Sequence, residues 1–146
     1  MVNILPLLNA AKLYEASQAG VKIELLIRGI CAVQPGIKGV SENIVVKSIL
    51  GRFLEHSRIY HFINGGDDEY WIGSADLMGR NLDRRVESLV MVQRKEHHVR
   101  LQSLLDLGLS EETSSWQLKE TTWSRPNKKG LTNVHAELIE HYSKDR

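Results

Sequence analysis

The sequence predicts an α/β fold with a mixed β-sheet flanked by helices, and three observations predict it. Short β-branched and aromatic runs alternate along the chain with segments of helical period. Glycine and proline punctuate the joints between them. The 146 residues, 42% hydrophobic and 25% charged, suit one globular domain.

The elements follow in order. Ile4–Ser17 places Leu7, Leu8, Ala11, Leu13 and Tyr14 at helical spacing, with Pro6 in the first turn and Gly20 as its C-cap. Val21–Ile27 reads as a strand. A short helix feeding a buried strand ordinarily has something before it to pack against, so the chain reads as a fragment or a split-gene product. A loop from Gly29 to Glu42 leads to a second strand, Asn43–Leu50, and Gly51–Glu55 is a short connector with the makings of a helical turn. Arg58–Ile63 and Tyr70–Ser74 are strands of a hairpin whose tip, Asn64-Gly-Gly-Asp-Asp-Glu69, uses glycine for positive φ. Arg85–Val92 is a further strand. Lys95–Leu107 is an amphipathic helix stopped by Gly108, Ser114–Ser124 a late strand with two tryptophans, and Asn133–Tyr142 a closing helix.

Nineteen basic and eighteen acidic residues leave a formal charge of +1, which excludes polyanion binding driven by net charge. The lone Cys31 excludes a disulfide scaffold and a multi-cysteine metal site. No apolar run reaches the length of a membrane span and no signal-peptide pattern opens the chain. These features read as soluble, reduced, intracellular and single-domain. Neither a P-loop nor a dinucleotide fingerprint occurs. His135-Ala-Glu137 lacks the cysteine half of a zinc deaminase motif, and neither His135 with His141 nor His97 with His98 is spaced for a shared metal. All four read as solvated helix-face histidines, and Asp67-Asp68-Glu69 as a hairpin tip.

The middle of the chain carries the chemistry. His56-Ser57-Arg58 enters a strand, where residues i and i+2 share a face. A guanidinium beside an imidazole suits phosphoryl chemistry: one neutralises and orients phosphate, the other serves as nucleophile, acid or donor. The hairpin returns Gly73-Ser74-Ala75-Asp76 towards His56, so that Ser74 offers a hydroxyl and Gly73 a close backbone approach. Arg28 ends the first strand before a glycine loop, where ligands of open α/β sheets commonly bind. Arg84 and Arg85, in the run Arg80–Arg85, add guanidinium groups suited to bidentate phosphate contacts.

Leu26-Ile-Arg-Gly-Ile-Cys31, Pro35-Gly36, Ser41-Glu-Asn43, Gly51–Tyr60, Asn64-Gly-Gly66, Ser74-Ala-Asp76 and Arg80–Arg85 closely resemble polyphosphate kinase. The resemblance is to the C-terminal catalytic domain of the large, histidine-phosphorylating family, and it is densest from Val21 to Val92. It implies a phospholipase D-like fold, in which two related domains each give a histidine motif to a shared site. The chain, 1–146, would be the second of these, within a larger enzyme. Arginine two places after the histidine, and aspartate two after the serine, depart from the lipase and nuclease pattern of lysine and asparagine. That departure favours the kinase over phosphodiesterase chemistry.

The resemblance further implies reversible transfer of the ATP γ-phosphoryl group to inorganic polyphosphate through a phosphohistidine, with magnesium. Arg28 matches the family's ATP-contacting arginine and His56 its second active-site histidine. The phosphorylated histidine belongs to the preceding domain, and no segment here matches it. No magnesium ligand is identified in this chain. Implied partners are ATP or ADP, polyphosphate and the remaining domains, in a homo-oligomer that binds no nucleic acid. The implied location is cytoplasmic, with peripheral membrane association of the full-length enzyme. Two other readings stay open: a non-catalytic polyphosphate- or nucleotide-binding module, and a phospholipase D-like phosphodiesterase acting as a dimer.

Overall fold

The computed structural model describes residues 7–144. The first residues of the expected opening helix, Ile4 to Pro6, lie outside that range, and α1 (Leu7–Gln18) carries the rest. Beyond its end the Gly20 N–H donates to the Ser17 carbonyl and the Val21 N–H to the Ala16 carbonyl, with Gly20 at φ 87°. This pair of bonds satisfies carbonyls the helix leaves open, and it needs a residue that tolerates positive φ. Gly20 is the cap its position indicated.

The strand β1 (Ile23–Leu26) pairs in parallel with β2 (Ile44–Ser48), and the two are joined by a loop rather than a crossover helix. That loop folds on the buried Ser41, whose hydroxyl accepts from the Ile37 N–H at 3.0 Å and donates to the Gln34 carbonyl. Residues 51–53 form a bend and no helical turn. A hairpin of β3 (Ile59–Phe62) and β4 (Glu69–Gly73) follows, its tip a single 3₁₀ turn with Gly65 at φ 69° and Gly66 at φ 105°. Next come α2 (Gly79–Arg84), a turn of helix the sequence reading did not include, and β5 (Leu89–Met91), shorter than the strand expected there.

The remaining elements are α3 (Lys95–Leu109), β6 (Trp116–Lys119), β7 (Thr122–Ser124) and α4 (Val134–Ser143). The single late strand is thus a tight hairpin. Its turn escaped notice because Glu120, not glycine or asparagine, takes the positive φ of 53°. The sequence placed Asn133 at the start of α4, and Asn133 is its N-cap, accepting from the Ala136 N–H at 3.1 Å.

The strands divide between two sheets. One is mixed, ordered β1-β2-β6-β7, and the other is antiparallel, ordered β3-β4-β5. Alternation along β1 and β2 sends Leu25, Ile27, Ile44 and Val46 to a core shared with α1. Leu26 and Ile49 face the other way, into a core with Leu105 of α3, Val134 of α4, and Ile59 and Tyr70 of the second sheet. Lys47 lies on that second face. It is buried, and its ammonium group donates to the Leu109 and Ser110 carbonyls and pairs with Glu111. A cation there satisfies the open carbonyls at the C-terminus of α3.

Gly108 does not stop α3, which continues to Leu109. It is a packing residue: a Cβ there would stand 2.6 Å from Leu26 Cδ1 and 3.0 Å from Ile49 Cδ1. Alanine would gain about 1 kcal/mol of helix propensity but would overpack this contact, which costs about 1–3 kcal/mol. Gly108→Ala should therefore lower the urea midpoint, and Gly108→Val should lower it further.

Candidate functional site

A concavity of about 530 Å³ opens where β3 begins and β4 ends, between those strands and α3. His56, Arg58 and Ser74 line its polar side, and Ile59, Ile72 and Leu104 lie on its apolar side. The hairpin register explains the meeting. Ile59 stands opposite Ile72, so the residues just before β3 lie beside those that close β4. The structure thus brings three of the expected residues to one solvent-facing surface.

His56 is exposed, and its ring Nδ1 and its backbone carbonyl both meet Arg58 Nη1, the carbonyl at 2.8 Å. The other edge of the same guanidinium faces Asp76, with Nε 3.2 Å from Oδ1 and Nη2 3.4 Å from Oδ2. Both side chains are largely buried. The fork expected to orient a phosphate thus meets a carboxylate of the chain itself. Arg58 consequently links His56 to the segment leaving β4. Tyr60 lies beneath, donating to the Ala75 carbonyl at 2.8 Å. Its hydroxyl is pushed up from 10 to about 12, chiefly by burial, with Asp76 adding to the shift and Arg58 opposing it.

The Ser74 hydroxyl donates to Glu87 at 2.6 Å and accepts from the Ser88 N–H at 3.1 Å. The other Glu87 oxygen accepts from Asn81 Nδ2 at 2.7 Å. These bonds, from Ser74 first and Asn81 next, hold the Glu87 carboxyl below its ordinary value. Arg84 and Arg85 are exposed at the end of α2, with Arg85 close enough to favour the Glu87 charge. Arg28 does not line the concavity. It follows β1 and donates through Nη1 to the carbonyl of Glu55, the residue before His56, so it reaches the same loop from behind.

Several residues of this surface were not singled out from the sequence. Asp76 and Asn81 stood inside quoted motifs without a role, and Glu87 carried no signal, because their partners arrive through the fold. His135 corrects an expectation: it is buried, not solvated, and pairs with Glu55 at 2.6 Å. Its neighbour Val134 belongs to the core, so the solvent face assumed for this part of α4 turns inward. His98 is half-buried and bonds the Val92 carbonyl, whereas His97 and His141 are exposed as expected. Among the described residues no group of three or more histidine, cysteine or carboxylate side chains gathers to hold a metal ion.

Two outcomes follow from this geometry. Asp76→Ala takes the carboxylate from a mostly buried guanidinium and should cost about 3–5 kcal/mol in urea denaturation, with Arg58→Met/Asp76→Leu recovering part of it. Alkaline absorbance titration should show a tyrosine step near pH 12, and Tyr60→Phe should remove it. Because folding raises this group, its contribution to stability is complete below pH 10 and is lost between 10 and about 12.

Known proteins are similar to this chain in sequence and fold. A family model described as polyphosphate kinase C-terminal domain 2 matches residues 8–137. The polyphosphate kinase of Streptomyces coelicolor is 51% identical over 132 residues, covering 87% of this chain and 18% of that protein. That of Pseudomonas aeruginosa is 54% identical over 132 residues, covering 88% and 19%. Among solved structures, the polyphosphate kinase of Porphyromonas gingivalis superposes with a TM-score of 0.87 at 32% identity, over 99% of this chain and 23% of that one. The expected fold class, an α/β phospholipase D-like domain with a mixed sheet, agrees with that match. The chain spans less than a quarter of the length of these relatives. It belongs to the polyphosphate kinase family, whose model for C-terminal domain 2 it matches.

Proposed function

We propose that this chain supplies the ATP- and phosphate-binding half of a polyphosphate kinase site, within an enzyme that moves the ATP γ-phosphoryl group reversibly to inorganic polyphosphate. The observation that carries this reading is the concavity where the exposed His56 meets Arg58 and Ser74, with Arg28 tied to the same loop. Phosphoryl transfer asks a protein chiefly for positioning and for fixed donors on the non-bridging and leaving oxygens. His56 is the exposed donor placed for that task. It binds the phosphates or gives a proton to the ADP leaving oxygen.

Arg28 contributes charge and geometry to a phosphate, and Arg84 and Arg85 add charge from the exposed end of α2. Arg58 completes the phosphate-binding set with its charge, while its bonds hold His56 in place. Ser74 joins the set when a phosphate oxygen replaces Glu87 as acceptor of its hydroxyl. The nucleophilic histidine, in this reading, belongs to the preceding domain. It forms a bond to the γ-phosphorus as ADP leaves, and the terminal phosphate of polyphosphate later takes the phosphoryl group from it. Residues 1–146 form the second phospholipase D-like domain of that larger cytoplasmic homo-oligomer. No helix among the described residues is long and apolar enough to cross a membrane. Magnesium enters this reading with the nucleotide, and no step is assigned to it.

The chain alone should form neither polymer nor phosphohistidine from labelled ATP. Joined to the preceding domains of a polyphosphate kinase, it should be active, and His56→Ala should lower turnover by roughly 10²–10⁴. Arg28→Ala should mainly weaken ATP binding, with the fold intact. Near-normal turnover of a well-folded His56→Ala enzyme would remove His56 from the mechanism.

A further inference from the structure

The segment that presents His56 is held by side chains rather than by regular backbone pairing. Residues 50–57 belong to no helix or strand, and Leu50, Phe53 and Leu54 are exposed. Yet this stretch carries His56 and receives Arg28. One side chain fastens it at three points. His135, on α4, accepts the Phe53 N–H at Nδ1 over 3.2 Å, and its Nε2 stands 2.6 Å from Glu55 Oε1. Accepting at Nδ1 leaves the proton on Nε2, so the ring donates to the carboxylate in one fixed tautomer. The ring also sits directly against Gly51, where a Cβ would come within 2.2 Å of Nδ1. Only glycine allows the backbone so near an imidazole.

We infer that His135 is a positioning residue for the phosphate site, setting the loop from Gly51 to Glu55 and, through it, His56 and Arg28. The link to Arg28 is specific: the residue whose carboxylate His135 binds is the residue whose carbonyl accepts from Arg28. Side chain and backbone of Glu55 are thus held from opposite ends of the chain, by a helix 80 residues downstream and by an arginine 27 residues upstream. His135 is buried, so its effect on phosphate passes through the loop. The catalytic part of this inference rests on the proposed role of His56. The structural part does not.

Amide exchange on the 146-residue chain reads the structural part directly. Phe53, bonded to the ring, should exchange about tenfold or more slowly than Arg52 and Leu54. In His135→Ala that protection should vanish while Val46 and Leu118 in the central sheet keep theirs. His135→Asn, which returns an acceptor near Nδ1, should restore part of it. Glu55→Ala, at a less buried position, should loosen residues 54–57 without touching the core. Unchanged exchange at Phe53 in His135→Ala would overturn the inference, as would equal loss throughout the sheet, the mark of a merely structural residue. In an active polyphosphate kinase containing this chain, His135→Ala and Glu55→Ala should each lower kcat/KM for ATP by about 10–100-fold, through kcat by way of His56 and through KM by way of Arg28. If His56→Ala there keeps full turnover, the reading of the site fails. If His56→Ala is inactive and His135→Ala is not, positioning alone fails.

Discussion

The buried ion pair of Arg58 and Asp76 is the constraint on which the site depends. A guanidinium and a carboxylate taken from water are unfavourable singly and tolerable together, because each satisfies what burial would leave open in the other. The pair joins the residue entering β3 to the segment leaving β4, so both ends of the hairpin are held to one geometry. From that follow the position of Tyr60 under the Ala75 carbonyl and the direction in which His56 is offered to solvent. Arg58 grips the scaffold, and the histidine beside it is left exposed.

The fold around this pair is arranged by alternation in two central strands. Odd and even positions of β1 and β2 feed different cores, one closed by α1 and the other by α3 and α4. The second of these is shared with the hairpin sheet, which is how α3 comes to wall the concavity. Two residues make that docking close: Gly108, which lets the helix approach Leu26 and Ile49, and Lys47, whose ammonium group meets the end of the helix. The geometry of the site is therefore a product of helix–sheet distance as much as of the motif residues themselves.

Much of this was legible in the amino-acid sequence, because it rests on local rules. The cap at Gly20, the start of the last helix at Asn133 and the turn at Asn64–Gly66 have short-range chemistry that a sequence displays. His56, Arg58 and Ser74 could be brought together because strand period and hairpin return are local as well. What escaped depends on distant partners. Gly108 looks like a helix terminator until Leu26 is known to face it. His135 looks like a solvated histidine until the 51–55 loop is seen to fold onto it. Glu87 gains its place only when Ser74 and Asn81 arrive from two other segments. The Glu120 turn failed for another reason: a residue that disfavours positive φ occupies it, and local preference yields to the pairing of β6 with β7.

Lys47 has a consequence for the order in which the molecule comes together. A lysine in the middle of a central strand is well solvated as long as that face of the strand is open. Covering it before its acceptors are in place would strand a charge away from water, at a cost of several kcal/mol. The acceptors are the last carbonyls of α3 and Glu111, more than 60 residues further along the chain. The second face of the mixed sheet therefore closes only when α3 is formed to its end. Docking of the helix and drying of the strand are then one event, with the long loop closure that such contacts impose on the folding rate.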